Sequence, residues 1–447
     1  MTLMNKGIAE EHGDRSKEHG VREFSRLYAP RSMLSATTYT RRLIMERFDE
    51  LAKDALSKKA ALGRDIPIQE YSQTTEERPY LENLSSLSEE DKLRMREAGI
   101  EATEEGRSGT FIQMDHSVIH EGSHQEGLQI ESITSALKKY DWLKDYFWKA
   151  VPVDTDKYTA TAQVAPHHGY FIRALPGAKS TFPLQACLFM GKEGLGQHVH
   201  NVIIAEEGSE LNIITGCTTA AHVKGGLHIG VSEFYIKKGA KVSFTMIHSW
   251  AEEVEVRPRT ATIVEEGGIF LSNYICLKPV KSLQMYPVAR LTGKGAMVRY
   301  NSILYAPSNS HLDVGSRVFL SAPKTRAEVI ARTISSGGEI IARGHLIGEV
   351  PDVKAHLECR GLILKDGLIH AIPELEGRVA GVDMSHEAAV GKIAQEEIEY
   401  LMARGLSAGE ATATIVRGFM NVGIMGLPSA LAREIDRAVK SCEEDML

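Results

Sequence analysis

One pattern recurs in NVIIAEEGSELNIITG (201–216), EFYIKKGAKVSFTMI (233–247) and ATIVEEGGIFLSNYI (261–275). Each stretch has alternating apolar residues, then a short charged or small segment with glycine, then alternation again, which predicts a strand, a turn and a strand. The turn glycines recur with a nearly constant period of roughly 30 residues, and a period of this size indicates a solenoid of stacked rungs. The glycines are Gly208, Gly239, Gly267 and Gly295, followed by Gly337 and Gly367.

The pattern predicts a mainly β chain whose core is a parallel β-helix between Val202 and Asp383. No helical stretch of ten or more residues interrupts the strands, which argues against alternating strands and helices. A single rung would leave its apolar face in water, so only the stacked array is stable. The residues expected to face the interior are Ile203, Ile213, Val242, Phe244, Ile263, Phe270, Val298 and Ile330.

Helical sequence flanks the predicted solenoid on both sides. We therefore expect an N-terminal helical region (1–150), a β-helix core (151–384) and a C-terminal helical domain (385–447). Short strands are expected from 159 to 190. Ser407 and Glu410 form the pattern of a capping box for one of the C-terminal helices. The predicted helices cover 41–62, 88–99, 132–151, 385–405, 411–420 and 429–442.

Composition limits the function classes. The chain has 447 residues, 43% of them hydrophobic, and a formal net charge of −7. This charge argues against nucleic-acid binding, because no basic stripe is available to neutralise phosphates. No run of eighteen apolar residues occurs, and the first fifteen residues contain no apolar stretch typical of a signal peptide, so we expect a cytoplasmic protein without a membrane span. The five widely spaced cysteines indicate free thiols in a reducing compartment.

Four histidines suggest a different possibility, a cytoplasmic metal-dependent β-helix enzyme. His198 and His200 are two residues apart on a predicted strand and would share one face. His167 and His168 precede them, but no carboxylate follows at a fixed spacing, so a structural role is favoured for all four. A β-helix polysaccharide lyase or hydrolase is a further alternative, although such enzymes need clustered acids and bases in an open groove and are usually secreted.

Several motifs, taken in order, resemble the SufB/SufD family of iron–sulfur cluster assembly scaffolds. The C-terminal stretch SHEAAVGKIAQEEIEYLMARGLSAGEA and the preceding HLECRGLILKDGLIHAIPELEG are similar to that family's signatures. Further matches are DYFWKAV (145–151), LNIITGC (211–217) and FYIKKGAKVSFTMIHSW (234–250). GTFIQMDHS (109–117) looks like the shorter archaeal-type members, often called SmsB.

The resemblance implies a right-handed parallel β-helix with helical domains at both ends and dimerisation through the β-helix. It also implies docking of an ABC-type ATPase, SufC or SmsC, on the C-terminal helices, and delivery of clusters to apo iron–sulfur proteins. The chain would be a non-catalytic scaffold that carries an iron–sulfur cluster transiently. The chain itself lacks a GxxxxGK[ST] loop, so ATP hydrolysis is expected in the partner.

By this resemblance, Cys359 and Glu387 match the cysteine and glutamate of SufB-type members, and His386 matches a histidine of SufD-type members. A thiolate is the usual ligand of iron–sulfur clusters, and carboxylate or imidazole makes a more labile site. Because His386 and Glu387 follow Cys359 by about one period of the repeat, one rung should bring them close. One chain with both versions suggests a homodimer with ligands from two copies. From the residues alone, a buried Cys359 and a helix-stabilising Glu387 remain the alternative.

Cys217 follows a strand and matches the cysteine that accepts persulfide sulfur in SufB-type members. This role needs a thiolate and a path to Cys359, which could run along the interior of the β-helix. A plain core cysteine is the alternative. Cys187, Cys276 and Cys442 match nothing in the resemblance, and we expect them to pack in the core.

Overall fold

The computed structural model describes residues 38–420, and a compact unit begins at Glu46. The helices are α1 (Thr38–Ala55), α2 (Glu89–Glu97), α3 (Ile133–Lys139), α4 (Lys157–Val164), α5 (Gln395–Met402) and α6 (Ala408–Met420). The early strands are β1 (Gly109–Met114), β2 (Ser117–Ser123), β3 (Leu128–Ser132), β4 (Tyr170–Ala174), β5 (Leu184–Met190), β6 (Leu195–Ala205), β7 (Glu210–Thr219), β8 (Gly225–Ile236), β9 (Lys241–Ser249) and β10 (Glu253–Val256). The later strands are β11 (Arg259–Val264), β12 (Ile269–Cys276), β13 (Ser282–Met285), β14 (Val288–Leu291), β15 (Met297–Pro307), β16 (His311–Leu320), β17 (Arg326–Ser336), β18 (Glu339–Gly348), β19 (Val353–Ile363), β20 (Leu368–Gly377) and β21 (Val382–Gly391).

These strands form a β-solenoid of about eight turns with two long sheets. The ten-stranded sheet runs in the order β2-β1-β5-β7-β9-β12-β15-β17-β19-β21. The eleven-stranded sheet contains β3, β4, β6, β8, β10, β11, β13, β14, β16, β18 and β20. The pairings between these strands are parallel except β1 with β2 and β3 with β4, at the N-terminal end. The predicted parallel β-helix, flanked by helices, is confirmed.

One turn position repeats from rung to rung: Gly208, Gly239, Gly267 and Gly295 hold it first, and Lys324 and Asp352 hold it in later rungs, whereas Gly337 and Gly367 lie outside this stack. Gly239 and Gly267 have φ values of +66° and +63°, which a residue with a Cβ adopts only with strain. The amide of Gly239 donates to the carbonyl of Glu266 in the next turn at 2.8 Å, and the amide of Gly267 donates to the carbonyl of Lys294 at 3.0 Å. The turns therefore stack on one another as the strands do.

Apolar side chains fill the space between the sheets, which we call the interior. The ring of Phe234 contacts those of Phe244 and Phe270, with the centroids 4.9 Å apart in each pair. Six of the eight predicted interior residues lie in this core, whereas Ile263 and Ile330 do not. For these two the prediction was wrong: their neighbours Val264 and Val329 point inward, and successive residues of a strand point to opposite faces.

The N-terminal region is less helical than predicted, because β1, β2 and β3 lie within residues 1–150. The stretch from 159 to 190, predicted as strands, begins instead with most of α4. The predicted helix over 132–151 is also interrupted, since α3 ends at Lys139 and a short 3-10 helix follows. A tertiary contact holds the end of this stretch in place: the Glu233 carboxylate accepts hydrogen bonds from the amides of Trp148 (2.7 Å) and Val151 (3.0 Å).

The C-terminal prediction needs a similar correction. The expected helix over 385–405 begins only at Gln395, because β21 continues to Gly391 and pairs with β19. Strand pairing therefore passes the predicted boundary at residue 384. The helix over 411–420 is confirmed as α6, and the capping box is present: the amide of Ser407 donates to Glu410 Oε2 at 2.8 Å, and the amide of Glu410 donates to Ser407 Oγ at 3.3 Å. The helix predicted over 429–442, with Cys442, lies outside the described residues.

Helix α6 packs against the outer face of the ten-stranded sheet. Its Ala413, Val416 and Met420 are buried with isoleucines of that face. The isoleucines come from four strands and are Ile247, Ile275, Ile303 and Ile334. The opposite face of these four strands lines the interior, and in the sheet order they lie between β7, which carries Cys217, and β19, which carries Cys359.

Candidate functional site

Cys359 lies on β19, in the last turn of the solenoid, and points into the interior. It is 2% exposed and belongs to the apolar core together with Leu357. Burial raises the pKa of its thiol to about 11; neighbouring Glu358 adds to the rise and Arg332 opposes it. The thiol is therefore protonated in this closed arrangement, and a ligand role requires either a metal to displace the proton or an opening of the last turn.

His386 lies beside this thiol, on the same face of the sheet. It pairs with Leu357, two residues before Cys359, so its imidazole also points inward. Its Nε2 atom is buried and has no hydrogen-bond partner. The imidazole and the thiol are therefore diagonal neighbours on adjacent strands, and both groups are ligands that iron–sulfur clusters use.

Glu387 is on the adjacent strand, as the rung period predicted, but on the opposite face. It pairs with Glu358, whereas Cys359 pairs with Ala388. Its side chain is 57% exposed, and its carboxylate accepts from Arg360 at 2.8 Å. Glu387 and His386 lie within the last strand, not after the last rung and not at a helix N-terminus. Within one copy, Glu387 does not face the thiol.

Cys217 lies on β7, is fully buried and also faces the interior. Five strand steps along the ten-stranded sheet separate it from Cys359. At about 4.8 Å per step, this is roughly 24 Å. Direct persulfide exchange between the two sulfurs is therefore impossible in this arrangement. Burial raises the pKa of Cys217 well above its ordinary value, and the neighbouring Cys187 adds to the rise.

The sequence reasoning gave no attention to His248 and Tyr274, which lie near Cys217, and it expected Cys276 in the core, where it lies. His248 pairs directly with Cys217 on one side and with Cys276 on the other, so all three share the interior face. Tyr274 shares this face, and its hydroxyl lies 2.7 Å from His248 Nδ1. A signal was present, because Cys217, His248 and Cys276 recur with the same spacing as the turn glycines.

The four histidines of the metal-enzyme alternative do not form one group. The rings of His167 and His198 are stacked with centroids 4.7 Å apart, and the ring of His116 also stacks on that of His167. His168 Nδ1 lies 2.9 Å from Thr134 Oγ1. His200 Nε2 contacts the buried carboxylate of Glu233 at 2.9 Å. Stacked rings direct their nitrogens in their own planes and not towards a common point.

The His200–Glu233 pair instead fastens the N-terminal segment to the solenoid. Glu233 is fully buried and also accepts from the Tyr235 hydroxyl at 3.1 Å. His200 stacks on Phe147 with centroids 4.2 Å apart. Within residues 38–420, no three His, Cys, Asp or Glu side chains are arranged to hold a metal ion.

A protein-family model described as SUF system FeS cluster assembly, SufBD core domain, matches residues 188–419. The chain belongs to the SufBD family. A protein named Iron-sulfur cluster assembly SufBD family protein from Archaeoglobus fulgidus is 55% identical over 358 residues, which are 80% of this chain and 96% of that protein. A protein with the same name from Methanothermobacter thermautotrophicus is 49% identical over 393 residues, covering 86% and 96%. One from Staphylococcus epidermidis is 31% identical over 370 residues, covering 79% and 78%.

The matched region contains Cys217, Cys276, Cys359, His386 and Glu387. It begins in β5 and ends in α6, so it contains most of the solenoid and both described C-terminal helices. The SufBD resemblance drawn from the motifs is therefore confirmed, including its archaeal character. Among the described helices of this SufBD protein, none is both long enough and apolar enough to cross a membrane.

Acid should destabilise the fold through its buried histidines. Burial lowers the pKa of His167 to about 3, of His198 to about 4 and of His228 to about 3. In the unfolded chain the pKa of each histidine returns to about 6.5, so below that pH the unfolded chain binds protons that the native chain does not bind. Above pH 6.5 these histidines therefore do not lower the free energy of unfolding. As the pH falls from 6.5 towards 4, the free energy of unfolding decreases by up to about 1.4 kcal/mol per histidine and per pH unit.

Urea unfolding between pH 7.5 and 5 measures this slope. His228→Gln should make the slope shallower by the contribution of about one proton, because glutamine does not titrate. Stability that is constant over this range would contradict the assignment.

Proposed function

We propose that this SufBD protein is a scaffold on which iron–sulfur clusters are assembled, with Cys359, His386 and Glu387 as ligands. The observation that carries the proposal is the last turn of the solenoid. There a buried thiol on β19 and an imidazole on β21 with an unpaired buried nitrogen share one face of the ten-stranded sheet. The cluster is cargo that the scaffold holds and releases. The family match and the relatives named for cluster assembly support this reading.

The outward position of Glu387 favours a homodimer in which two copies of the chain contribute ligands. Glu387 faces outward on β21, which is the edge strand of the ten-stranded sheet. An edge strand has unpaired backbone groups that can pair with another chain. In a homodimer joined through this end of the β-helix, Glu387 of one copy can approach the Cys359 end of the other. The exposed apolar side chains Val390 and Leu375 on the two final strands fit the same interface.

The burial of Cys359 indicates why an ATPase partner is needed. A cluster cannot reach a thiol that is 2% exposed unless the last turn opens. We assign this opening to a SufC/SmsC-like ABC ATPase that docks on α5 and α6. Helix α5 has no buried residue, and it exposes Tyr400 and Met402. Helix α6 contacts the sheet that carries the thiols, so motion of these helices reaches the site.

The remaining parts of the proposal follow from this chemistry. The scaffold itself is non-catalytic, its partner hydrolyses ATP, and apo iron–sulfur proteins receive the cluster. Cys217 is the proposed sulfur acceptor, with small sulfur species covering the distance to Cys359. The four described cysteines are free thiols, which supports a cytoplasmic, reducing location.

Ligand removal tests the site. Anaerobic reconstitution with iron and sulfide should give a visible cluster absorption in the wild type, and Cys359→Ser should lose most of it, because serine is a poor ligand for this iron. His386→Ala and Glu387→Ala should each bind less iron and release it faster to a chelator. Cys187→Ser, a buried cysteine without an assigned role, is the matched control. Full cluster content in Cys359→Ser would refute the assignment.

Surface substitutions on α5 test the ATPase site. Tyr400→Asp with Met402→Asp should reduce capture of the purified partner ATPase at least about tenfold, because two charges replace apolar contact area. Leu93→Asp, at a similarly exposed position on α2, should capture the ATPase normally. Unchanged binding by the α5 variant, with an unchanged circular dichroism spectrum, would exclude this surface.

The edge strands should hold the dimer. Val390→Lys with Leu375→Lys should convert a dimer to a monomer in sedimentation experiments, because opposed edges would then carry like charges. Leu271→Lys on β12 introduces the same charge at a comparably exposed position away from the edge and should leave the dimer intact. A monomeric wild type, or a double variant that stays dimeric, would contradict the proposed interface.

A further inference from the structure

Two arginines lie on the outer face of the eleven-stranded sheet, in the C-terminal half of the solenoid. Arg290 is on β14 and Arg317 is on the neighbouring β16, and each is partly exposed between two buried residues. Successive residues of a strand point to opposite faces, so both guanidinium groups lie outside the interior. Within residues 38–420, no carboxylate forms a salt bridge with either arginine.

Aromatic rings hold both guanidinium groups in place. The Cζ atom of Arg290 lies 4.1 Å from the centroid of the Phe319 ring, and that of Arg317 lies 5.3 Å from the centroid of the Tyr286 ring. The Nε atom of Arg317 also donates to His345 Nδ1 at 3.2 Å. A ring occupies only the flat face of a stacked guanidinium, so its N–H edge stays available to a planar anionic group. The two arginines are therefore pre-organised donors for a carboxylate or a phosphate.

A third arginine extends the pair into a diagonal line. Arg290 pairs with Phe319, which lies two residues after Arg317 on β16. Arg343 on β18 pairs with Gly315, which lies two residues before Arg317. The three arginines are therefore diagonal neighbours on three adjacent strands, and each step of the line is about 7–8 Å.

The charge along this line is uneven. Arg343 is neutralised, because its Nε and Nη2 atoms donate to the two carboxylate oxygens of the buried Asp313 at 2.6 and 3.1 Å. On β20, the next strand, Glu374 and Glu376 contact the two ring nitrogens of His345 at 3.0 and 3.4 Å. Negative charge therefore borders the line at β20, and the positive charge without an ion pair lies on β14 and β16.

An extended polypeptide segment fits the spacing of the arginines. Alternate residues of an extended chain point to the same side and are about 6.6 Å apart, which is close to one diagonal step of the line. A small ligand on an open sheet face would remain mostly in water, whereas small-molecule sites enclose most of their ligand. The geometry therefore favours a protein segment that carries carboxylates at alternate positions.

We propose that Arg290 and Arg317 dock an extended acidic segment of the apo protein that receives the cluster. The proposal rests on the proposed cluster-assembly function, for which it names the docking surface of the recipient. Position supports this partner, because β16 pairs with β18 and β18 pairs with β20, the strand of the last turn in this sheet. Strand β18 also leads through a short turn into β19, which carries Cys359. A recipient held across β14 and β16 is therefore next to the turns that carry the proposed ligands.

Peptide binding tests the surface without iron or ATP. A fluorescein-labelled peptide of alternating glutamate and threonine should bind the full-length protein at low salt, and the affinity should fall as ionic strength rises. Arg290→Gln with Arg317→Gln should weaken binding at least about tenfold, because two hydrogen bonds to charged groups are lost. A peptide of alternating lysine and threonine should not bind. Fluorescence anisotropy measures each affinity. No binding of the glutamate peptide, or equal binding by the double variant, would overturn the proposal.

Matched variants separate this surface from a general effect of charge. Arg326 and Lys354 pair with each other on the outer face of the ten-stranded sheet. Arg326→Gln with Lys354→Gln removes the same charge there and should bind the peptide normally. Phe319→Leu should weaken binding about threefold, because the guanidinium loses the ring on which it stacks. Arg290→Lys with Arg317→Lys keeps the charge but should bind less tightly than the wild type, since lysine lacks the planar fork. Full binding by the lysine variant would refute the role of the guanidinium groups.

Cluster transfer tests the recipient and separates the two proposals. Arg290→Gln with Arg317→Gln should keep the cluster content of the reconstituted wild type but transfer the cluster to an acidic apo ferredoxin about tenfold more slowly at low salt, because association loses its complementary charge. Unchanged transfer would overturn the recipient assignment. If the wild type forms a cluster but does not bind the peptide, the scaffold function stands and the docking surface falls. If the peptide binds as expected but no cluster forms, the surface stands and the scaffold function falls. Thermal unfolding of each variant identifies any loss of fold.

Discussion

The parallel register between successive turns is the constraint on which the rest of this structure depends. Each residue of the ten-stranded sheet lies beside a residue one turn away, at the strand spacing of about 4.8 Å. Side chains that recur with the rung period therefore form continuous rows along the interior. One row holds Cys217, His248 and Cys276, and another ends at Cys359 and Ala388.

The same register also decides which residues lie on opposite faces of the sheet. A shift of one residue along a strand moves a side chain from the interior to the outer face. This is why His386 lies on the face of Cys359 while Glu387, its neighbour in sequence, lies outside and contacts Arg360. A ligand set that includes both Cys359 and Glu387 therefore needs either a second copy of the chain or an opening of the final turn. Strand β21 is relevant to both requirements, because it is the edge of the sheet and carries two of the proposed ligands.

Burial also gives the interior thiols a raised pKa. A solenoid of this width protects each interior cysteine from water, and the cost of burying charge raises the pKa of Cys217, Cys276 and Cys359. Such a thiol is inert until a neighbour supplies a hydrogen bond, a base or a metal. At Cys359, the unpaired buried nitrogen of His386 lies on the same face of the sheet as the thiol. The solenoid therefore keeps these thiols protonated for as long as they stay buried.

The sequence by itself determined the β-helix, because alternation and a regular glycine period are properties of the chain. It also determined the family, since several motifs in order are more specific than any single one. It placed Cys359 one turn from His386 and Glu387, and the capping box of α6 was readable from Ser407 and Glu410. Only the tertiary structure decided which face each of these side chains occupies, that β21 is a strand and not a helix, and that Tyr274 and His248 flank Cys276. The physical reason is that face and pairing depend on the register between turns, which depends on contacts between residues far apart in the chain and not on any local pattern.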